Sequence, residues 1–231
     1  MTEREREIIG LVHSQVKPAL GCTEPIAVAL AAAKAAELLE VENRLTADFG
    51  IEVSVSGNIL KNGMGVGVPG TGMTGLHIAA ALGVVCGKSE YGLEVLRDLS
   101  EASVARAKEL EGGVKLGVAP TDHVLYVSVT VTCEEHAATA VIQDGHDNIV
   151  RLERDGDVLL DTGSSCDCAA SSHRCTLTVK EIYDFAQSAS YEDIAFILED
   201  RTLNLALARE GLRGDYGEYA GDRLRRALRH R

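Results

Sequence analysis

Five short runs between Lys115 and Leu160 constrain this 231-residue chain more than any other feature. Lys115–Ala119, His123–Cys133, Ala137–Gln143, Asn148–Arg154 and Val158–Leu160 are short, rich in strand-forming residues and bounded by turn signals, which predicts strands. Asp144-Gly145 and Asp155-Gly156 mark tight turns between them, because Asp and Gly tolerate the positive φ that such turns require. A sixth run, Phe49–Ser56, sets Ile51, Val53 and Val55 against Glu52, Ser54 and Ser56, the period of a half-buried strand. Elsewhere the period is helical. Glu3–Val16 is ended by Lys17-Pro18, and Ile26–Leu39, Thr74–Cys86, Tyr91–Leu110, Val179–Ser188, Tyr191–Arg209 and Asp215–Leu228 follow. The expectation is an α+β fold. A mixed or antiparallel sheet with covering helices occupies residues 46–162. An all-helical layer comes from both chain ends, residues 1–45 and 177–231, with 163–176 as a cysteine-containing linker.

Aromatic residues make up 4% of the chain and Trp is absent, so Ala, Val, Leu and Ile must build the core and base-stacking platforms are not expected. A formal net charge of −12 argues against nucleic-acid binding. Arg223, Arg225, Arg226, Arg229 and Arg231 read as the solvated face of a last helix, with cations near its C-terminus. Met1 to Glu7 is charged rather than signal-like, and the apolar runs near Ile26 and Ile78 are too short or interrupted to span a bilayer. Six cysteines in that setting suggest thiols or a metal in a reducing cytoplasm, with no membrane association.

Two stretches carry chemistry. In Gly21-Cys22-Thr23-Glu24-Pro25, Thr23 is the expected N-cap of the alanine-rich helix that follows, with Glu24 and Pro25 in its first turn. The partial positive charge there favours a thiolate, so Cys22 is expected as a low-pKa nucleophile, base or metal ligand. The second stretch, Gly57–Gly75, holds seven glycines in nineteen residues. It is expected as a loop whose N–H groups wrap a small anion, aided by Lys61, Asn58 and Asn62. Gly65-Gly67-Gly70 and Gly70-Gly72-Gly75 match GxGxxG, but the strand ends well before both and no suitable acidic strand follows, so neither reads as a dinucleotide site. His146 and Asn148 alternate toward the fourth of the five runs and are expected to point to one face. Cys166, Cys168, His173 and Cys175 offer zinc donors at a spacing unlike standard zinc sites.

Pro18–Pro25, Gly57–Thr71 and Gly145–Ile149 together resemble the L-cysteine desulfidase family, which is related to the alpha part of iron–sulfur L-serine dehydratases. The resemblance covers the whole chain and corresponds to the N-terminal half of typical members. It implies a lyase that eliminates hydrogen sulfide or water, plus ammonia, from L-cysteine or L-serine to give pyruvate, using a [4Fe–4S] cluster and no pyridoxal phosphate. Carried onto this sequence, it implies Cys22 as cluster ligand or base, with Lys61 and His146 catalytic. Thr23, Glu24, Asn58, Asn62, Gly63, Gly65 and Asn148 would bind the substrate. Cys22 alone cannot hold a cluster that wants about four thiolates. The resemblance therefore also implies a partner, a C-terminal-half subunit or a homo-oligomer. A non-catalytic amino-acid-binding or regulatory subunit is the competing expectation.

Overall fold

The computed structural model describes residues 2–162 and 177–213. They fall into two compact units, Pro18–Asp167 and a second that combines Met1–Lys17 with Cys168–Arg231.

In the first unit α2 (Thr23–Leu38; α1, Glu3–Gln15, belongs to the second unit) is followed by β1 (Gly50–Val55), α3 (Gly57–Gly63) and a hairpin of β2 (Gly67–Val68) and β3 (Met73–Thr74). Then come α4 (Leu76–Cys86), a 3-10 turn at Ser89–Glu94 and α5 (Glu101–Glu111). Five strands complete it: β4 (Lys115–Val118), β5 (Tyr126–Cys133), β6 (His136–Gln143), β7 (Ile149–Arg154) and β8 (Asp157–Asp161). The fold is α+β. Its six-stranded sheet has the order β4-β1-β5-β6-β7-β8 and is mixed, since β1 runs parallel to β4 while the other neighbours are antiparallel.

Alternation decides which face is covered. Ile51, Val53 and Val55 of β1, Val127, Val129 and Val131 of β5, and Ala138, Ala140 and Ile142 of β6 are buried in one core with α2 and α4. The other face carries Ser54, Ser128 and a Thr130–Thr139 hydroxyl pair at 2.8 Å across the β5–β6 register. Helix α2 is apolar nearly all round, as a helix enclosed on most sides must be. Its alanines let α4 approach closely: a Cβ on Gly83 would lie 2.3 Å from the Ala29 carbonyl oxygen, and one on Gly87 would lie 2.7 Å from the Ala33 Cβ. These two contacts, four residues apart on each helix, also show that α2 and α4 run parallel.

Several expectations need correction. Residues 57–63 are a helix, not part of a loop, because the buried Ser56 side chain accepts from Ile59 N–H and donates to the Val124 carbonyl. The helix expected at Tyr91–Leu110 is broken: Gly92 has a positive φ of 53°, and Ser100 caps a new helix, α5, in a capping box with Ser103. Residues 18–45 fall in the sheet unit rather than in the helical one, because α2 packs on β5, β6 and α4.

The second unit contains α1 (Glu3–Gln15), α6 (Val179–Ser188), α7 (Tyr191–Ile194) and α8 (Ile197–Gly211). Capping boxes at Thr2 with Glu5 and at Thr178 with Glu181 start α1 and α6. Arg4 pairs with Glu181 at 3.0 Å, the Ser188 hydroxyl donates to Glu5 at 3.0 Å, and His13 stacks on Phe196 at 3.7 Å. The helix expected at Tyr191–Arg209 breaks at Ala195–Phe196. Cys166, Cys168, His173, Cys175 and the arginine-rich tail lie outside the described residues. No helix among the described residues is long and apolar enough to cross a membrane.

Candidate functional site

The Gly21–Pro25 turn and the glycine-rich stretch meet. Gly21 takes a φ of +93°, and a Cβ there would lie 2.9 Å from the Pro69 ring, so only glycine fits both the backbone and the contact. Just beyond it, Cys22 rather than Thr23 is the N-cap of α2. Its side chain caps nothing. The Cys22 thiol instead donates to the Glu24 carboxylate at 3.1 Å.

That contact reverses the expected pKa of Cys22. The hydrogen bond to Glu24, then partial burial, then the Glu24 negative charge raise the thiol above its ordinary value, and the backbone N–H groups of Thr23 and Glu24 offset only part of this. The helix terminus instead favours the carboxylate. Burial opposes the charge on Glu24, but hydrogen bonds from Cys22, from its own backbone N–H and from Asn62, with attraction by His146, hold its carboxyl below the ordinary range. Substituting Glu24→Gln is expected to lower the Cys22 pKa. Iodoacetamide alkylation of Cys22 at pH 8 should then run several-fold faster, as more thiolate is present. An unchanged rate would show that Glu24 does not control the thiol.

Four groups from three distant segments thus share one place: Cys22 and Glu24 at the start of α2, Asn62 on α3, and His146 in the turn between β6 and β7. Asn58 and Lys61 are exposed on the same short helix as Asn62. Asn148 does not line up with His146 along a strand. Its side-chain amide donates to the Gln143 carbonyl at 2.8 Å, closing the turn that presents His146, so it is a positioning residue. Gly63 is buried against Leu76, where a Cβ would lie 2.4 Å from a side-chain methyl, whereas Gly65 is exposed. Thr23 is half-buried in the first turn of α2.

The parallel packing of α2 and α4 adds a feature that no local motif reveals. With Gly83 against Ala29 and Gly87 against Ala33, the first turns of the two helices, Thr23 and Leu76, are level with each other. Neither N-cap supplies a side-chain hydrogen bond. The positive dipole ends of both helices therefore lie at one end of the pair; at α2 the Thr23 and Glu24 N–H groups already serve the Cys22 thiol and the Glu24 carboxylate, and at α4 Leu76 is buried. A cleft of about 790 Å3 lies at the opposite end of α2, but Glu40, Glu42, Asp48 and Glu134 line it and would repel a carboxylate.

Comparison with known proteins gives relatives over nearly the whole chain. A protein from Oleidesulfovibrio alaskensis is 50% identical across 92% of this chain and 49% of its own length. One from Bacteroides fragilis is 42% identical across 100% of this chain and 54% of its own, and one from Shewanella pealeana is 45% identical across 92% and 50%. All three carry the name UPF0597 protein. The chain is similar to UPF0597 proteins. It spans about half the length of the UPF0597 relatives it matches. No protein-family model matches it, and no solved structure matches it significantly.

No group of three or more His, Cys, Asp or Glu among the described residues is arranged to hold a metal ion. Among the described residues, Cys22 is the one thiol at the site. Cys86 closes α4 and Cys133 closes β5, away from it. One exposed thiol suits one position of a [4Fe–4S] cluster, so the described residues alone do not fit that group.

Proposed function

We propose that this chain supplies one half of the active site of a lyase acting on a small α-amino acid. The reaction removes the α-proton and breaks the β carbon–heteroatom bond: L-cysteine and water give pyruvate, hydrogen sulfide and ammonia, or L-serine gives pyruvate and ammonia. The observation that carries this reading is the convergence of Cys22, Asn62 and His146 on Glu24 at the start of α2. The helix ends and the Asn62 amide suit an amino-acid carboxylate, with Lys61 as the nearby cation of α3. Glu24 suits the substrate ammonium. His146, held by the turn that Asn148 closes, is the candidate acceptor of the α-proton. The described residues offer Cys22 as one ligand to the [4Fe–4S] cluster that the resemblance implies; such a cluster would supply Lewis acidity toward the leaving group and would need its other ligands from a partner.

Iron and acid-labile sulfide, measured after anaerobic reconstitution, separate this reading from that of a binding subunit. The chain is reconstituted alone and with the half of the O. alaskensis relative that it does not span. Iron is expected only in the combined sample and is expected to fall sharply in Cys22→Ala. A combined sample without iron would favour an amino-acid-binding subunit.

A further inference from the structure

The chain has five asparagines, and Asn62 is the one followed by glycine. The others precede Arg44, Ile59, Ile149 and Leu205. Asparagine is chemically labile, and a following glycine makes it more so. With no Cβ to obstruct the approach, the glycine nitrogen can swing onto the asparagine side-chain carbonyl carbon. Asn62 also lies beside Glu24 and helps to hold its carboxyl below the ordinary range. A covalent change at Asn62 therefore changes the candidate site itself.

Helix α3 controls that reaction. While residues 57–63 are helical, the Gly63 nitrogen points along the helix axis, away from the Asn62 side chain, and its N–H belongs to the backbone ladder. Yet α3 has only seven residues, too few for a helix to be stable by itself. Its start is pinned, because Ser56 caps it and Ile59 is in the core. At its end Gly63 packs on Leu76, but Asn62, Met64 and Gly65 are exposed, and nothing lies within 4 Å of a Cβ at Gly65. Helices fray at their ends, so the turn that holds Asn62 and Gly63 is where α3 opens first.

We infer that Asn62-Gly63 is a deamidation site, gated by opening of the last turn of α3, that replaces an amide of the candidate site with a carboxylate. The Gly63 nitrogen bonds to Asn62 Cγ and gives up its proton. The Cγ–Nδ2 bond breaks and ammonia leaves. Water then opens the resulting five-membered imide at either carbonyl carbon, which gives aspartate or isoaspartate. The sum is amide plus water to carboxylate plus ammonium, with no oxidation or reduction. Both products set a second negative charge beside Glu24, where two carboxylates oppose each other's ionisation. Isoaspartate also lengthens the backbone by one methylene just before the contact of Gly63 with Leu76. This inference does not rest on the lyase reading and is tested without amino acid or iron.

The test incubates the 231-residue chain at pH 8 and follows conversion of each asparagine by peptide mapping and mass spectrometry. The chain unfolded in urea gives the ungated rate. Hydrogen–deuterium exchange of residues 59–64 gives the fraction of time for which the turn is open. Asn62 is expected to convert before the other four asparagines, at least about tenfold more slowly folded than unfolded, by a factor that matches the open fraction. Ser56→Ala removes the cap and is expected to speed conversion in the folded chain about fivefold, with circular dichroism checking that the sheet unit remains folded. The exchange comparison in the unsubstituted chain needs no variant. Three results would overturn the proposal: no conversion of Asn62 in the folded chain, another asparagine converting first, or equal rates folded and unfolded.

Discussion

Gly83→Ala is expected to lower the stability of the sheet unit by about 2 kcal/mol, although the same change strengthens most helices. Alanine in a helix interior gains about 1 kcal/mol over glycine. At Gly83 that gain is outweighed, because the new Cβ would lie 2.3 Å from the Ala29 carbonyl oxygen and 2.9 Å from the Ala29 Cα. Both are backbone atoms, so no rotamer change relieves the overlap and α4 must move away from α2. Overpacking of this kind costs about 3 kcal/mol at the upper end of its usual range, which sets the net figure. Gly10→Ala is the matched control. Gly10 is also inside a helix, but nothing lies within 4 Å of a Cβ there, so that variant should gain roughly 0.5–1 kcal/mol. Urea unfolding of the three proteins gives the comparison. Equal midpoints for Gly83→Ala and wild type would show that α2 and α4 are not in backbone contact.

In the complete assembly, Cys22→Ala is expected to lower kcat/KM by about 1,000-fold or more while leaving the fold intact. The fold should survive because Cys22 is exposed and its side chain does not cap α2. Asn62→Ala should act differently. Asn62 lies beside Glu24 and is assigned to the substrate carboxylate, so KM should rise about tenfold or more with kcat little changed. The split between the two variants distinguishes a group used in the chemical step from one used in binding. Loss of kcat in both with unchanged KM would remove Asn62 from the binding role. Acidification provides a further check on the same cluster. The Glu24 pKa lies below its ordinary value, so its favourable contribution to stability is complete above the ordinary carboxylate range and is lost as pH falls through the folded-state value.

The sheet was legible because its evidence is local. Alternation in Phe49–Ser56 and the β-branched runs after Lys115 place β1 and β4–β8 within a few residues of where they lie, and Asp155-Gly156 forms the expected two-residue turn with φ of 51° and 89°. The site was legible only in part. The chemistry-bearing residues of Gly21–Pro25 and Gly57–Gly75 stood out by composition, whereas the contact of Gly21 with Pro69 that joins the two stretches is long-range. Helix α3 was hidden because Gly57 and Gly63 bracket it and draw attention from its cap, Ser56. The raised Cys22 pKa was misjudged because a helix-end field was weighed and a carboxylate two residues away was not. The level N-termini of α2 and α4 depend on Gly83 meeting Ala29, a long-range contact with no local signature.

The most direct measurement is product formation. The chain would be combined with the other half of the O. alaskensis relative, reconstituted anaerobically, and assayed for pyruvate from L-cysteine and from L-serine, with sulfide read in parallel. The account predicts pyruvate from at least one of the two amino acids, with sulfide in equal amount if it is L-cysteine, and loss of product in Cys22→Ala. An iron-loaded one-to-one complex that forms no pyruvate from either amino acid would contradict it.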